Sequence, residues 1–417
     1  MAVAADAPKD GFRLSMLIYD TRYRSMTIQI VVMLLFMAGV AWLIDNAIQN
    51  LRTLGKDFNF GFLWNRAGYD INLRLVEYTN DSTHGRALLI GLINTLLVAG
   101  LGCVTATIIG VFAGVLRLSK NWLVGRLMTV YVEVFRNVPL LLWILLTYAV
   151  LTEALPPLKD FRGENPAATM SLNDSIAVTN QYTVVPEPLF SRSLGNIDVG
   201  IFLVSVDLLA IIAVIVASVL ANRALLANAT KVQEATGDRP VTWWKSLLIL
   251  VAPLVILLLA LGFHLGYPEL GKFNFSGGTE ISNSLLALWL ALSIYTGSYI
   301  AEIVRAGILA ISHGQSEAAF ALGLRPGRTM SLVILPQALR VIVPPLISQY
   351  LNLTKNSSLA IAVGYMDLRG TLGGITLNQT GRELECMMLL MLIYLSISLS
   401  ISAVMNVYNN AVKLKER

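Results

Sequence analysis

Charge is scarce in this chain. Only 14% of its 417 residues are Asp, Glu, Lys or Arg and 55% are hydrophobic, where a soluble protein carries roughly a quarter charged residues. That balance excludes an ordinary soluble globular fold. Cysteine is nearly absent. Cys103 and Cys386 stand far apart in apolar stretches, so there is no material for a disulfide framework or a thiolate metal site. The three histidines, His84, His264 and His313, show no metal-ligand spacing, and no nucleophile–base or paired-carboxylate arrangement offers a catalytic centre. A phosphate-binding loop is also missing. Gly266, Gly271 and Lys272 have its spacing, but Phe273 follows where Ser or Thr would hold magnesium, and the segment does not lie between a strand and a helix. No internal repeat is visible, which weakens an inverted-repeat transporter. The net charge of +5 follows from basic loops and does not point to nucleic acid.

What is present is a series of long apolar runs. A membrane-crossing helix needs about 20 mostly apolar residues, and by that measure the chain holds about eight. They lie near Thr27–Ile44, Ala87–Leu116, Pro139–Leu155, Val199–Ala221, Ser246–Gly266, Ser282–Leu309, Val341–Val363 and Met387–Val407. The first follows Lys9, Arg13, Arg22 and Arg24 and ends in Trp42-Leu43-Ile44-Asp45-Asn46 without a small-residue cleavage site, so it reads as a retained span. Basic residues concentrate at Arg117, Lys120 and Arg126, at Arg223, Lys231, Arg239 and Lys245, and at Lys413, Lys415 and Arg417. The positive-inside rule then places both termini and the segment around Glu317 in the cytoplasm. The connections Asn46–Gly85 and Pro156–Asp198 read as irregular, either a small external platform or mobile insertions. Gly110 and Gly114 form a Gly-x-x-x-Gly element, expected to serve close helix packing within the subunit.

One polar stretch stands apart: Glu317-Ala318-Ala319-Phe320-Ala321-Leu322-Gly323, followed by Val333-Ile334-Leu335-Pro336. Ser316 reads as an N-cap, with Glu317 in the first turn where the helix dipole favours an acid. Ala318, Ala319 and Ala321 keep the helix thin, Gly323 suits the C′ position, and Pro326 opposes continuation. A thin capped helix between spans has the chemistry of a plug for another protein's groove. This spacing resembles the coupling loop of ATP-binding-cassette importer permeases, with Val333 where that family usually has Ile. Gly314-Gln315, Leu335-Pro336-Gln337-Ala338-Leu339-Arg340 and Tyr131-Val132-Glu133-Val134-Phe135-Arg136-Asn137-Val138-Pro139-Leu140-Leu141 extend the resemblance to the polar-amino-acid uptake branch. The N-terminal part, with Gly68-Tyr69-Asp70-Ile71, looks most like a permease subunit of the general L-amino-acid transporters.

The resemblance implies an all-α integral membrane protein with a type I importer permease core and extra helices. Its expected parts are an N-terminal tail, span and outer loop (1–84), the first part of the core (85–155), an outer loop with two additional spans (156–281), and the second part of the core (282–417) with a cytoplasmic coupling loop at 310–340. It implies an amino-acid permease of a bacterial inner membrane, not itself an enzyme. Expected partners are a second homologous permease forming a heterodimer, a cytoplasmic ATPase dimer carrying ATP and magnesium, and a periplasmic substrate-binding protein. No cofactor or metal is expected in this chain. Glu317, Ala318, Ala319 and Gly323 would couple to the ATPase.

Ionisable groups inside spans are costly and usually mark a cavity or a partner. Tyr295, Ser298, Tyr299, Glu302 and Arg305 share a helical face, and Glu302 with Arg305 would form either a gate or a brace for the coupling loop. Asn352, Lys355, Asn356, Ser357 and Ser358 interrupt the span from Val341, with Pro344 and Pro345 kinking its start. In the resembling family this region belongs to the pathway. Lys355 would therefore attract a substrate carboxylate or, alternatively, snorkel to the outer interface. Arg136 would anchor to headgroups, and Tyr131 and Glu133 would contact the coupling loop. Glu302, Lys355 and Asp207 also permit a rival reading, an ion-coupled transporter or channel acting alone; a membrane-embedded enzyme is a more distant one.

Overall fold

A computed structural model describes residues 21–412 apart from 54, 56–57, 164 and 201–202. It contains eight helices long and apolar enough to cross a membrane. The chain divides into two compact units, residues 1–61 and 62–417. The first unit holds α1 (Thr21–Thr53), whose described apolar side chains are almost all exposed, as expected of a helix solvated by lipid. The helix absorbs the first part of the connection expected from Asn46.

The second unit is built around α2 (His84–Leu116) and α7 (Asn283–Leu309). Thr83 and Ser282 begin them as N-caps, each side chain accepting from a backbone N–H three residues on, which satisfies a donor that the first helical turn leaves unpaired. Leu288, Leu292 and Ile300 of α7 are fully buried, with Val98 of α2, Ile144 of α4 (Leu140–Glu153) and Leu353 of α9 (Leu335–Asn356) in the same core. The Gly110–Gly114 element does serve this internal packing. A Cβ on Gly110 would stand 2.5 Å from the Ile300 Cβ, and one on Gly114 would stand 2.6 Å from the Ala301 carbonyl oxygen. Only glycine permits that approach, and the two backbones close on each other across it.

α3 (Trp122–Asn137) and α4 are separated by Val138 and Pro139. α5 (Val206–Thr236) and α6 (Trp243–Ala260) pack on each other. α5 continues well past the expected end at Ala221, because its polar, alanine-containing sequence remains helical until Gly237 ends it with a φ of 81°.

The connections between α4 and α5 and between α6 and α7 are not irregular. They form short antiparallel pairs around a three-stranded sheet, β1 (Ala177–Val178), β2 (Tyr182–Val185) and β3 (Thr279–Ser282), with Val184 opposite Glu280. Phe161, Ala177, Val184 and Phe275 form its small core. β3 leads directly into α7. A helix of 27 residues is about 40 Å long, so this platform and the segment after Leu309 lie at opposite ends of α7.

Candidate transport and coupling sites

At the far end of α7, Ser312 precedes α8 (His313–Ala321). The helix thus begins earlier than the sequence suggests. Ser316 is interior, Glu317 lies in the second turn, and Ser312 makes no side-chain capping bond. Glu317 instead contacts His313 one turn back, Oε1 to Nδ1 at 3.1 Å, both side chains being exposed. The other end follows expectation. Gly323 has a φ of 77°, its N–H donates to the Phe320 carbonyl, and the Leu324 N–H donates to the Ala319 carbonyl. This pair of bonds is the Schellman arrangement, which requires a left-handed residue at C′.

Ala319 is buried where α8 lies against the turns that follow it, whereas Glu317 and Ala318 are exposed. Phe320 and Leu322 are also exposed, at 50% and 82%. Pro326 opens a helical turn (Pro326–Thr329), which passes through a π-helical turn (Met330–Ile334) into α9. The π turn stands just before Pro336, which has no N–H to contribute to a regular ladder. The Gln337 side-chain amide donates to the Val333 carbonyl at 2.9 Å and to Gln315 Oε1 at 3.3 Å. α8 is thereby tied to the start of α9.

Near the same end, Glu302 is held from two sides. Arg305 donates from Nη2 to Oε1 at 2.6 Å, and Arg117, at the C-terminal end of α2, pairs with Oε2. Arg117 also donates to Thr129 of α3 at 3.2 Å and lies 3.7 Å from Glu133. One network therefore fastens α2, α3 and α7 just before the chain enters α8. Arg117 was legible only as a basic loop residue; its position at the end of a long apolar span, level with an intramembrane acid, was the available signal. Tyr131 does not reach the loop. Its hydroxyl donates to the Ile294 carbonyl at 2.7 Å, in the middle of α7.

Tyr295 and Tyr299 do meet, their hydroxyls 3.1 Å apart. Ser298 is fully buried and donates to the Tyr295 carbonyl at 2.6 Å. The Arg136 guanidinium lies 5.1 Å from the centre of the Tyr299 ring, a cation–π contact.

Asn352, Lys355 and Asn356 lie in the last turns of α9 and not in a gap. The helix continues through Pro344 and Pro345 and becomes 3₁₀ only at Ser357. Leu353 packs where a Cβ on Gly102 would stand, 3.0 Å from it, and Gly102 is close to the centre of α2. Lys355 is therefore near mid-span, is exposed, and has no ion pair among the described residues. An exposed lysine level with the middle of an apolar helix needs water, a polar neighbour or a route for its amine to the interface.

A polar cluster missed in the sequence lies beyond α9. Asn94 and Thr95 of α2 hold the segment around Asp367. The Asn94 amide donates to the Met366 carbonyl, Thr95 Oγ1 accepts from the Leu368 N–H, and the Tyr394 hydroxyl donates to Asp367 Oδ2. Asp367 also accepts from the Gly370 N–H at 2.8 Å. Asn94 and Thr95 within an apolar run were the sequence signal. Burial pushes the Asp367 carboxyl up to about 7, against the smaller opposing effect of those bonds. The folded protein then retains a proton that the unfolded chain releases above about pH 4. Stability contributed by the protonated group is full below that point and is lost as pH rises through about 7. Asp367→Asn imitates the protonated form. Its melting temperature relative to the unsubstituted protein should rise between pH 5 and pH 8 in detergent; a constant difference would contradict the shifted carboxyl.

Residues 106–414 match the family described as binding-protein-dependent transport system inner membrane component. The glutamate/glutamine/aspartate/asparagine transport system permease protein BztB of Rhodobacter capsulatus is 66% identical over 100% of both chains. The general L-amino acid transport system permease protein AapQ of Rhizobium johnstonii is 44% identical, over 98% of this chain and 96% of the relative. A crystal structure of an amino acid ABC transporter with histidines is 18% identical, covers 79% of this chain and 95% of its own, and has a TM-score of 0.44. The matched length and the full-length relatives establish that this chain belongs to the family of binding-protein-dependent transport system inner membrane components.

Proposed function

We propose that the chain is the transmembrane permease subunit of an ATP-driven amino-acid importer, multi-pass in a bacterial inner membrane with both termini cytoplasmic. It forms half of the pathway beside a second, homologous permease, and a periplasmic binding protein delivers the substrate. Hydrolysis of ATP, with magnesium, belongs to a separate ATPase dimer. The substrates are amino acids of the kind named for the 66% identical relative, glutamate, glutamine, aspartate and asparagine.

The observation that carries this reading is α8, a polar helix with Phe320 and Leu322 exposed and a tie through Gln315 and Gln337 to the next span. Exposed apolar anchors on a rigid polar element suit a partner's groove. Lys355 and Asn352, exposed on α9, with Asn356, Tyr295, Tyr299 and Glu302 are the pathway candidates; buried Ser298 supports the helix that carries three of them. Of the three residues that permit the ion-coupled alternative, only Lys355 is left without a structural partner among the described residues. Glu302 is neutralised by two arginines, and Asp207 accepts from the Ser193 hydroxyl and the Leu194 N–H as a structural acid. Mild-detergent purification of the tagged chain, followed by mass spectrometry, should recover an ATPase and a second permease in stoichiometric amounts. Recovery of this chain alone, still able to transport, would contradict the proposal. In a background lacking Cys103 and Cys386, an impermeant thiol reagent should label a cysteine at Ser171 in intact cells and miss one at Gln315; labelling of Gln315 would invert the topology.

A further inference from the structure

Arg136 differs from its basic neighbours. Arg117 and Arg305 both bind Glu302, whereas Arg136 stacks on Tyr299 and its guanidinium makes no hydrogen bond or ion pair among the described residues. Two tyrosine hydroxyls converge beside it. Tyr299 Oη is 3.1 Å from Tyr295 Oη, and it donates to the Arg136 carbonyl at 3.4 Å. The group stands on α7 between mid-span and the α8 end. Its charges do not balance: three guanidinium groups, of Arg117, Arg136 and Arg305, face two carboxylates, of Glu133 and Glu302. A half-buried guanidinium with no hydrogen-bonded anion of its own among the described residues is open to a visiting one. A planar guanidinium backed by an aromatic ring and flanked by hydroxyls is well shaped to bind a carboxylate through two donors.

We propose that Arg136, with Tyr299 and Tyr295, forms a carboxylate-binding station in the half of the pathway nearer α8, and that it favours amino acids whose side chain is anionic. The inference rests on the importer reading above. The excess positive charge repels a substrate ammonium group as it attracts a carboxylate. A zwitterionic amide therefore gains little, and a substrate with two carboxylates and net negative charge gains more. Arg136 acts by binding substrate, and Tyr299 positions it through the stacked ring.

The test is uptake of L-glutamate and L-glutamine by proteoliposomes containing the chain with its permease partner, ATPase and binding protein. Arg136→Gln should reduce the glutamate-to-glutamine uptake ratio roughly tenfold, the scale of one lost charge-assisted hydrogen bond. Arg136→Lys should restore part of the ratio. Tyr299→Phe, which keeps the ring, should lower it by a smaller factor. Equal losses for both substrates would overturn the station and leave the importer reading intact. Absence of amino-acid uptake by the unsubstituted assembly would overturn the importer reading itself. A lipid headgroup is the other carboxylate or phosphate source at this depth. If the effect of Arg136→Gln on the ratio vanishes in vesicles of phosphatidylcholine alone, Arg136 serves anionic lipid and the proposal fails.

Discussion

Replacing Gly323 by valine is expected to abolish ATP-driven uptake in a chain that still reaches the membrane. Gly323 holds a φ of 77°, which costs a β-branched residue on the order of 1–3 kcal/mol. Relief of that strain would break the bonds from Gly323 to Phe320 and from Leu324 to Ala319. A helix of nine residues has little stability of its own to absorb the loss. The Glu317→Lys change tests a different property. Because Glu317 lies in the second turn, its charge does not cap the helix dipole, and its exposed contact with His313 contributes little. Any large effect must arise at an interface, where removing a hydrogen-bonded charge partner costs roughly 2–5 kcal/mol. Glu317→Lys should therefore keep normal thermal stability and yet lose both ATPase copurification and uptake. Ala318→Trp, on the exposed face, should act in the same way, while Ala319→Trp should also lower stability because Ala319 is buried against its own chain. Normal uptake in both Gly323→Val and Glu317→Lys would show that α8 is not the coupling element.

The second large effect is expected from Glu302→Gln. This change leaves Arg117, with a side chain only 14% exposed, without its closest acid, and frees Arg305 as well. Breaking a fully buried pair costs about 3–5 kcal/mol. Glu302 is 27% exposed, so a loss of about 1–3 kcal/mol is expected after solvent screening. Arg117→Gln should cost a similar amount. The double variant should be less destabilised than the two single losses added together, because each single change leaves a charge unpaired. Additive losses in thermal unfolding would mean that the network does not couple α2 to α7. If it does fasten the α7 end before α8, Glu302→Gln should also weaken the dependence of ATP hydrolysis on the binding protein.

The spans were legible because membrane thickness fixes the length of an apolar run. Their ends were less so. Hydropathy stops reporting at Ala221, whereas the helical hydrogen bonds of α5 continue to Gly237. Gly110 and Gly114 announced a close contact but not its partner, since Ile300 and Ala301 lie far along the chain. α8 was recognisable as a motif, yet its start was misplaced. Ser312 and Ser316 are one turn apart, and Gly314 in the first turn disguises the helical segment. Pro344 and Pro345 read as a break, but α9 continues through them and its irregular turn lies before Pro336. The Arg117–Glu302 pair joins positions 185 residues apart, and no local pattern encodes such a pairing. Lys355 was visible as a cation in an apolar stretch. Its level along α2 is set by the packing of Leu353 against Gly102, a contact between distant parts of the chain.

The most direct test of the account is uptake of labelled L-glutamate by proteoliposomes of the purified assembly, with the ATPase-facing side and the lumen controlled separately. The account predicts uptake that requires ATP, the ATPase subunit and the binding protein together, with ion gradients collapsed. Glutamate accumulation by this chain under an ion gradient, with the ATPase omitted, would contradict it.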